Sequence, residues 1–397
     1  MSSSRELSHR LHPARATLAA VSAIGIALGM SRYAYTPLIP ALIRDGWVSV
    51  SQAGYLGGSN CMGYLVSCLL ATVLPRYLSV RIVIRMALII ASLGVFMSSF
   101  DFGFYWLMFA RFIAGLSAAP LIVLIPSVLV SQLSDRWKKF CAGLAFAGNG
   151  LFIVFISLTL PFFLGFDIQI SWFYEAAVVV AACILVWPLT SRASAEPLAR
   201  SDVSGRLNGR QRKVLLGLTL AYGLGAIAVQ PPTLFLTDYL HRDMGMPVAQ
   251  ASRIFSILGL GTAIGAGCSG LIAGLVGSRL TLLLVYASGL ISTLLVLFST
   301  KVWLLVLAAG LAGFFLMGLV AITSQRTMET VGHLQHPRIW GILTFAFALG
   351  LSLGSNGMSA LLQAGQTYLD LFIIAFWTLC VGQFLTVCLS CRRLPSD

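Results

Sequence analysis

The chain has 397 residues, of which 58% are apolar and 10% charged; so few polar side chains cannot cover a soluble protein of this length, which places it in the membrane class. Its net charge of +13 would suit a nucleic-acid partner, but the basic residues gather between apolar stretches and not on one face, and that excludes the reading. Length here counts membrane helices, not soluble domains.

Windows of about 20 apolar residues predict an all-α integral membrane protein of twelve helices, at 16–42, 50–74, 81–100, 104–132, 139–163, 171–190, 213–238, 250–276, 279–299, 302–325, 338–362 and 368–390. The first is far longer than the apolar core of a signal peptide and runs on without a clear processing site, so it is expected to stay as an anchor. Near its middle stands Arg32, in Gly29-Met30-Ser31-Arg32-Tyr33-Ala34-Tyr35-Thr36-Pro37. A charge at the centre of a membrane helix costs roughly 2.5 to 3.5 kcal/mol on insertion scales, so such a residue faces a water-filled cavity or a partner and by default marks a pathway or site. The second stretch places Asn60 and Tyr64 one turn apart, and the fourth carries Arg111. In the seventh, Gln230 precedes Pro231-Pro232, where missing backbone donors are expected to break the helix. Acidic residues are scarce: none lies deep in a central stretch, Glu175 falls about one turn into the sixth, and Asp238 stands at the outer end of the seventh, where Arg253 is its expected partner.

With the N-terminus taken as cytoplasmic, twenty Lys and Arg fall in inward segments, Arg76, Arg81, Arg279 and Arg326 among them, against three, Arg44, Arg242 and Lys301, in outward connections. That asymmetry predicts both termini inside, as an even helix count requires. Arg32, Arg111 and Arg253 lie within helices.

The chain also repeats itself at an offset of 198 residues: Gln52-Ala53 matches Gln250-Ala251, Gly63 matches Gly261, Arg81 matches Arg279, Ala114-Gly115 matches Ala312-Gly313 and Gly143 matches Gly341. A constant register through several helices indicates a duplicated six-helix unit. The predicted divisions are 1–190, an N-terminal six-helix bundle; 191–212, a basic cytoplasmic linker; and 213–397, a C-terminal six-helix bundle. Two halves of one orientation imply a pseudo-twofold axis along the membrane normal, with the site near the midplane between them. Under the offset Arg32 pairs with Gln230. Gly54-x-x-x-Gly58, Gly261-x-x-x-Gly265 and Gly350-x-x-x-Gly354 let helix backbones approach.

Most of the eight cysteines fall inside helices and read as small packing residues. Cys388-x-x-Cys391, His9-x-x-His12 and His333-x-x-His336 lack a second ligand pair at suitable spacing, so no metal is expected. Neither a Ser/His/Asp set nor paired carboxylates stand at membrane depth, so an enzyme is not expected. The nucleotide-binding pattern Gly-x-x-x-x-Gly-Lys-Ser/Thr does not occur, so ATP does not drive the protein directly and no cofactor is expected.

Twelve helices, the repeat and the basic central loop together resemble the major facilitator superfamily over essentially the whole chain. Leu107-x-x-x-Arg111-Phe112-Ile113-Ala114-Gly115-x-x-Ala118-Ala119 looks like that superfamily's helix 4 motif, whose arginine is linked to proton coupling. The segment Ser31 to Pro40, with Ser51-Gln52-Ala53-Gly54-Tyr55-Leu56 and Asn60-x-x-Gly63-Tyr64, is similar to the YbfB/YjiJ branch. Departures are informative: Pro75-Arg76-Tyr77-Leu78-Ser79-Val80-Arg81 keeps the basic residues of the signature between helices 2 and 3 but lacks its acid and glycine, and the helix 5 signature of drug/proton antiporters is faint in Gly148-Asn149-Gly150.

The resemblance implies that helices 1, 4, 7 and 10 line a cavity, 2, 5, 8 and 11 flank it, and the rest, the sixth included, face lipid. The candidate substrate-binding residues are then Arg32, Tyr33, Tyr35, Asn60, Tyr64, Arg111 and Gln230, and the gating or coupling residues Arg111, Asp238, Arg253, Arg76 and Arg81. Two arginines favour an anionic or carboxylate-bearing solute, because the planar fork grips a carboxylate at two points. The expected function is rocker-switch secondary transport of a small organic solute across the bacterial inner membrane, by a monomer in the lipid bilayer, with protons as the coupling ion. The alternatives are a multidrug/proton efflux pump and a non-transporting membrane sensor, the latter expected to carry a soluble signalling domain.

Overall fold

The computed structural model describes residues 12–131, 133, 135–196 and 207–390. Eleven helical runs among them are long and apolar enough to cross a membrane. In chain order these are α1 (Pro13–Arg44), α2 (Val50–Val73), α3 (Val80–Met97), α4 (Phe104–Ile125), α5 (Asp135–Leu164), α6 (Ile168–Val186), α7 (Gly209–Arg242), α8 (Val248–Val276), α9 (Ser278–Phe298), a run of 62 residues from Val302 to Gln363, and finally Tyr368–Ser390. At 1.5 Å per residue the long run would measure about 90 Å, roughly three bilayer cores. Its backbone leaves the helix at Gly332, with φ 75° and ψ 171°, a conformation open to glycine because it has no Cβ. The run is therefore two crossings, α10 (302–331) and α11 (333–363), and the last helix is α12, which gives the twelve that the apolar windows predict. The sequence places a loop over 326–337; apart from the turn at Gly332 the structure keeps those residues helical.

The outward surface is that of a protein in lipid. Helix α3 exposes Ile82, Met86, Ile89, Leu93 and Phe96 and buries Val83, Ala87 and Ala91, while α12 exposes Ile373, Trp377, Val381 and Phe384. Large apolar side chains thus face outward at helical spacing, and small ones mediate contact between helices.

The repeat reappears as a packing motif. A Cβ on Gly115 of α4 would stand 2.1 Å from the Asn60 carbonyl oxygen of α2, and one on Gly313 of α10 would stand 1.9 Å from the Leu258 carbonyl of α8. In return, Gly63 lies against the Phe112 carbonyl, at 2.2 Å, and Gly261 against the Gly310 carbonyl, at 2.0 Å. All these contacts pair positions related by the sequence offset, so α2 crosses α4 as α8 crosses α10. The two six-helix bundles, α1–α6 and α7–α12, meet through α2 on α11, where Gly54 abuts Ser359 and Gly58 abuts Asn356, and through α5 on α8, where Gly150 abuts Gly259 and Ala263.

Helix α7 begins at Gly209, ahead of the predicted 213, because Asn208 and Gln211 cap one another's backbone amides at 2.8 and 3.0 Å. Residues 197–206 of the predicted linker lie outside the described residues. The expected break at Pro231-Pro232 takes a milder form. Pro231–Phe235 is a π-helical turn that carries the chain on into a further helical segment; the wider spacing absorbs the missing donors without opening the helix. Gly25–Tyr33 of α1 is π-helical too, so both halves bring a widened turn to the level of Arg32 and Gln230.

Candidate solute-binding cleft

A narrow cleft lies where the halves meet. It is lined from α1 by Arg32, Tyr33 and Thr36, from α2 by Gly57, Asn60 and Cys61, from α4 by Arg111, from α7 by Gln230, Thr233 and Leu234, and from α11 by Ser355. The π turn of α1 presents Arg32 to it, and Arg32 Nη2 donates to Gln230 Oε1 at 3.2 Å across the two halves. The Arg32 guanidinium also stands over the Tyr33 ring, 5.0 Å from its centroid. Gln230 is held from behind, its Nε2 donating to the Leu351 carbonyl and the Ser355 hydroxyl of α11. Asn60 ties three helices together: its Nδ2 donates to the Ser31 carbonyl at 2.9 Å and to the Arg111 carbonyl at 3.1 Å.

Arg111 is 1% exposed. Its Nη2 donates to the Arg32 carbonyl at 3.3 Å, and the guanidinium lies 4.7 Å from the Tyr35 ring centroid and 5.8 Å from that of Trp172 on α6. Tyr35 and Trp172 stack at 6.2 Å, and the Tyr35 hydroxyl donates to the Ala53 carbonyl at 2.9 Å. Arg111 Nε and Nη1 are buried without a hydrogen-bond partner.

Five of the seven predicted substrate residues thus line the cleft: Arg32, Tyr33, Asn60, Arg111 and Gln230. The other two stand apart. Tyr35 is one layer behind, between Arg111 and Trp172, and Tyr64 lies a turn further along α2, toward Cys68 and Tyr222.

Residues 24–387 match the family described as "Uncharacterised MFS-type transporter YbfB". The chain belongs to this family of major facilitator transporters. It is 24% identical over 359 residues to "Uncharacterized MFS-type transporter YceJ" of Bacillus subtilis (strain 168), covering 86% of this chain and 88% of that one. Two solved structures of the nucleoside transporter NupG share its fold. One, of a point mutant, superposes with a TM-score of 0.72 at 16% identity, covering 95% of this chain and 99% of that one. The other gives 0.71 at 14%, covering 96% and 99%.

In this MFS protein the gating candidates are placed differently from the sequence reading. Asp238 does not pair with Arg253. It accepts from Arg242 Nε at 3.0 Å and from the Tyr368 hydroxyl, while exposed Arg253 donates to the Ala249 carbonyl of its own helix at 3.3 Å. Arg242 stands at i+4 from Asp238, and that local pair outcompetes a partner on another helix. Arg81 donates to the Ser191 and Ala193 carbonyls beyond α6, at 2.7 and 3.2 Å, which ties the α2–α3 connection to its own half. Arg76 is exposed at the end of α2. Hydrogen bonds across the halves toward the α1–α2 connection run from Thr36 Oγ1 to the Thr233 carbonyl, at 2.7 Å, and from the Tyr55 hydroxyl to Gln363 Oε1, at 3.0 Å; they draw that end of the cleft shut.

The largest correction concerns acidic residues and α6. Glu175 is 0% exposed, and neither carboxyl oxygen has a hydrogen-bond partner. Trp172 and Glu175 are buried, with the Trp172 ring 5.8 Å from the Arg111 guanidinium, so α6 carries them inward and presents lipid on its far face, with Ile170, Val180 and Ile184. The signal was in the sequence as Trp172-x-x-Glu175, an ionisable residue one turn from an aromatic within an apolar run. Among the described residues no three His, Cys, Asp or Glu side chains gather as a metal site. His336 stacks on Trp340 at 6.1 Å and meets Ser324 at 3.2 Å, whereas His9 and Cys391 lie outside the described residues.

Proposed function

We propose that the protein is a secondary transporter of the bacterial inner membrane, with both termini cytoplasmic, that carries a small anionic or carboxylate-bearing organic solute through this cleft. The halves, 1–190 and 213–397, rock about it and expose it to each side in turn, driven by the proton gradient. One observation carries the reading: the cleft brings two guanidinium groups, Arg32 and Arg111, to one space, and its described lining includes no carboxylate. A cationic drug would meet the Arg32 charge with no carboxylate in the described lining, whereas a carboxylate finds two forks and the amide of Asn60. An anion able to replace the Arg32–Gln230 bond would exchange a bond to a neutral amide oxygen for an ion pair.

The test uses proteoliposomes offered labelled organic anions, amino acids, nucleosides and cationic drugs, with wild type and Arg32→Ala in parallel. A charge-assisted hydrogen bond contributes about 1.5–3 kcal/mol, so the variant should lose roughly tenfold to a hundredfold in uptake of the transported anion. Undiminished uptake of every transported anion by the variant would overturn the anion reading.

A further inference from the structure

Buried behind the cleft, four polar atoms wait for partners: Nε and Nη1 of Arg111 and both carboxyl oxygens of Glu175. Trp172 stands one turn before Glu175 on the same buried face of α6, its ring 5.8 Å from the Arg111 guanidinium and its own indole N–H unpartnered. Buried polar atoms are nearly always paired, and a carboxylate left ionised and alone in a water-poor interior is costly. Two arrangements relieve this group: a protonated carboxyl, or a carboxylate in contact with Arg111. The guanidinium keeps its proton throughout, so the carboxyl is the member of the pair that can change charge.

We propose that Glu175 is the proton-binding site of this transporter, exchanging with the solute for Arg111. With the cleft empty and Glu175 ionised, the carboxylate swings onto the two free N–H donors of Arg111 and neutralises it. When an anionic solute takes Arg111, the carboxylate accepts one proton from a hydronium ion that reaches the cleft, leaving water, and becomes the neutral acid; when the solute leaves, that proton returns to water as hydronium and the ion pair re-forms. Arg111 is compensated in both states, so one anion and one proton bind together, which makes the protein a proton–anion symporter. This rests on the anion reading above and supplies its coupling group.

The surroundings of Glu175 are consistent with a single exchanging pair. Helix α6 packs against α1, α3 and α5. From α1 come Arg32 and Tyr35, and from α6 itself comes Tyr174, whose hydroxyl donates to Thr159 at 2.8 Å. On α3, Arg85 lies at the far end, against Thr190 and the Trp187 ring, and the described α5 residues at this depth are not ionisable. Asp238 of α7 is engaged by Arg242 and the Tyr368 hydroxyl.

The decisive measurement is infrared difference spectroscopy of the full chain in liposomes, between alkaline and acidic buffer. Wild type should show a carboxylic-acid carbonyl band that grows on acidification, absent from Glu175→Gln and kept in Asp238→Asn, the other fully buried acid among the described residues. In Arg111→Gln its midpoint should move toward alkaline pH. The proposal is overturned if Glu175→Gln keeps the band, if wild type shows no such band, or if removing Arg111 leaves the midpoint in place. With whichever labelled anion wild type takes up, Glu175→Gln should retain anion exchange and lose accumulation driven by a pH gradient; retained accumulation also overturns it. The infrared titration needs no solute, so a wrong anion reading and a wrong proton site are told apart. Glu175→Gln preserves side-chain shape, and an unchanged elution profile verifies its fold.

Discussion

Arg32 and Gln230 occupy equivalent positions of the two repeats and touch each other, as side chains on a pseudo-twofold axis must. Identity differs where position does not, so the cleft is cationic on one side and neutral on the other. Gln230 already offers Oε1 to Arg32, and replacing the amide by a carboxylate would place a permanent anion on the guanidinium. Gln230→Glu should therefore reduce uptake of a transported anion more than Gln230→Ala does. Equal or smaller loss in the glutamate variant would show that Arg32 is not where the solute's charge rests. The equivalence of the two positions was legible, because a repeat register is a property of sequence alone; the bond between them follows from packing. The Asp238 pairing was legible in part: the i+4 spacing to Arg242 was visible, but Tyr368 enters from another helix, and only packing brings it there. Tyr35 could be assigned to the right helix but not to the right layer, since the rotation of α1 about its axis depends on the π turn before it.

Elements divide between those that hydropathy reveals and those that curvature decides. Apolar windows give all twelve crossings within a few residues, because the bilayer fixes their length, whereas the π turns and the helical continuation through 326–337 follow from local contacts. The resemblance implies a lipid-facing α6, yet Trp172, Glu175, Ala176, Val179 and Cys183 recur at helical spacing and form its buried stripe. The glycine motif shared by α2–α4 and α8–α10 makes a paired prediction. Gly115→Ala and Gly313→Ala each drive a Cβ into a backbone carbonyl, at 2.1 and 1.9 Å, and neither neighbour is a side chain that can turn away. Each should destabilise by on the order of 1–3 kcal/mol. Gly143 and Gly341 are related by the same offset but meet no atom within 4 Å, so alanine there should be neutral or stabilising by up to about 1 kcal/mol. Thermal unfolding in detergent distinguishes the two pairs, and a similar loss at all four positions would mean that the close crossings are not what holds each half together.

At the scale of the whole molecule, orientation decides which solution each end of the cleft meets. On the topology predicted from sequence, three basic residues, Arg44, Arg242 and Lys301, fall in the outward connections and twenty in the inward segments. Positive charge resists translocation, so in the proposed orientation the basic end is inward, and the Thr36–Thr233 and Tyr55–Gln363 bonds between the halves are those of the outer mouth. In the proposed cycle, opening outward parts these bonds while the α5–α8 contact, built on Gly150 against Gly259, serves as the pivot. In a variant stripped of reactive native cysteines, Lys301→Cys should react with a membrane-impermeant maleimide added to intact cells, and Asn208→Cys should react only after the membrane is opened. The reverse pattern would invert the protein, make the closed mouth cytoplasmic, and turn the proposed path of solute and proton around with it.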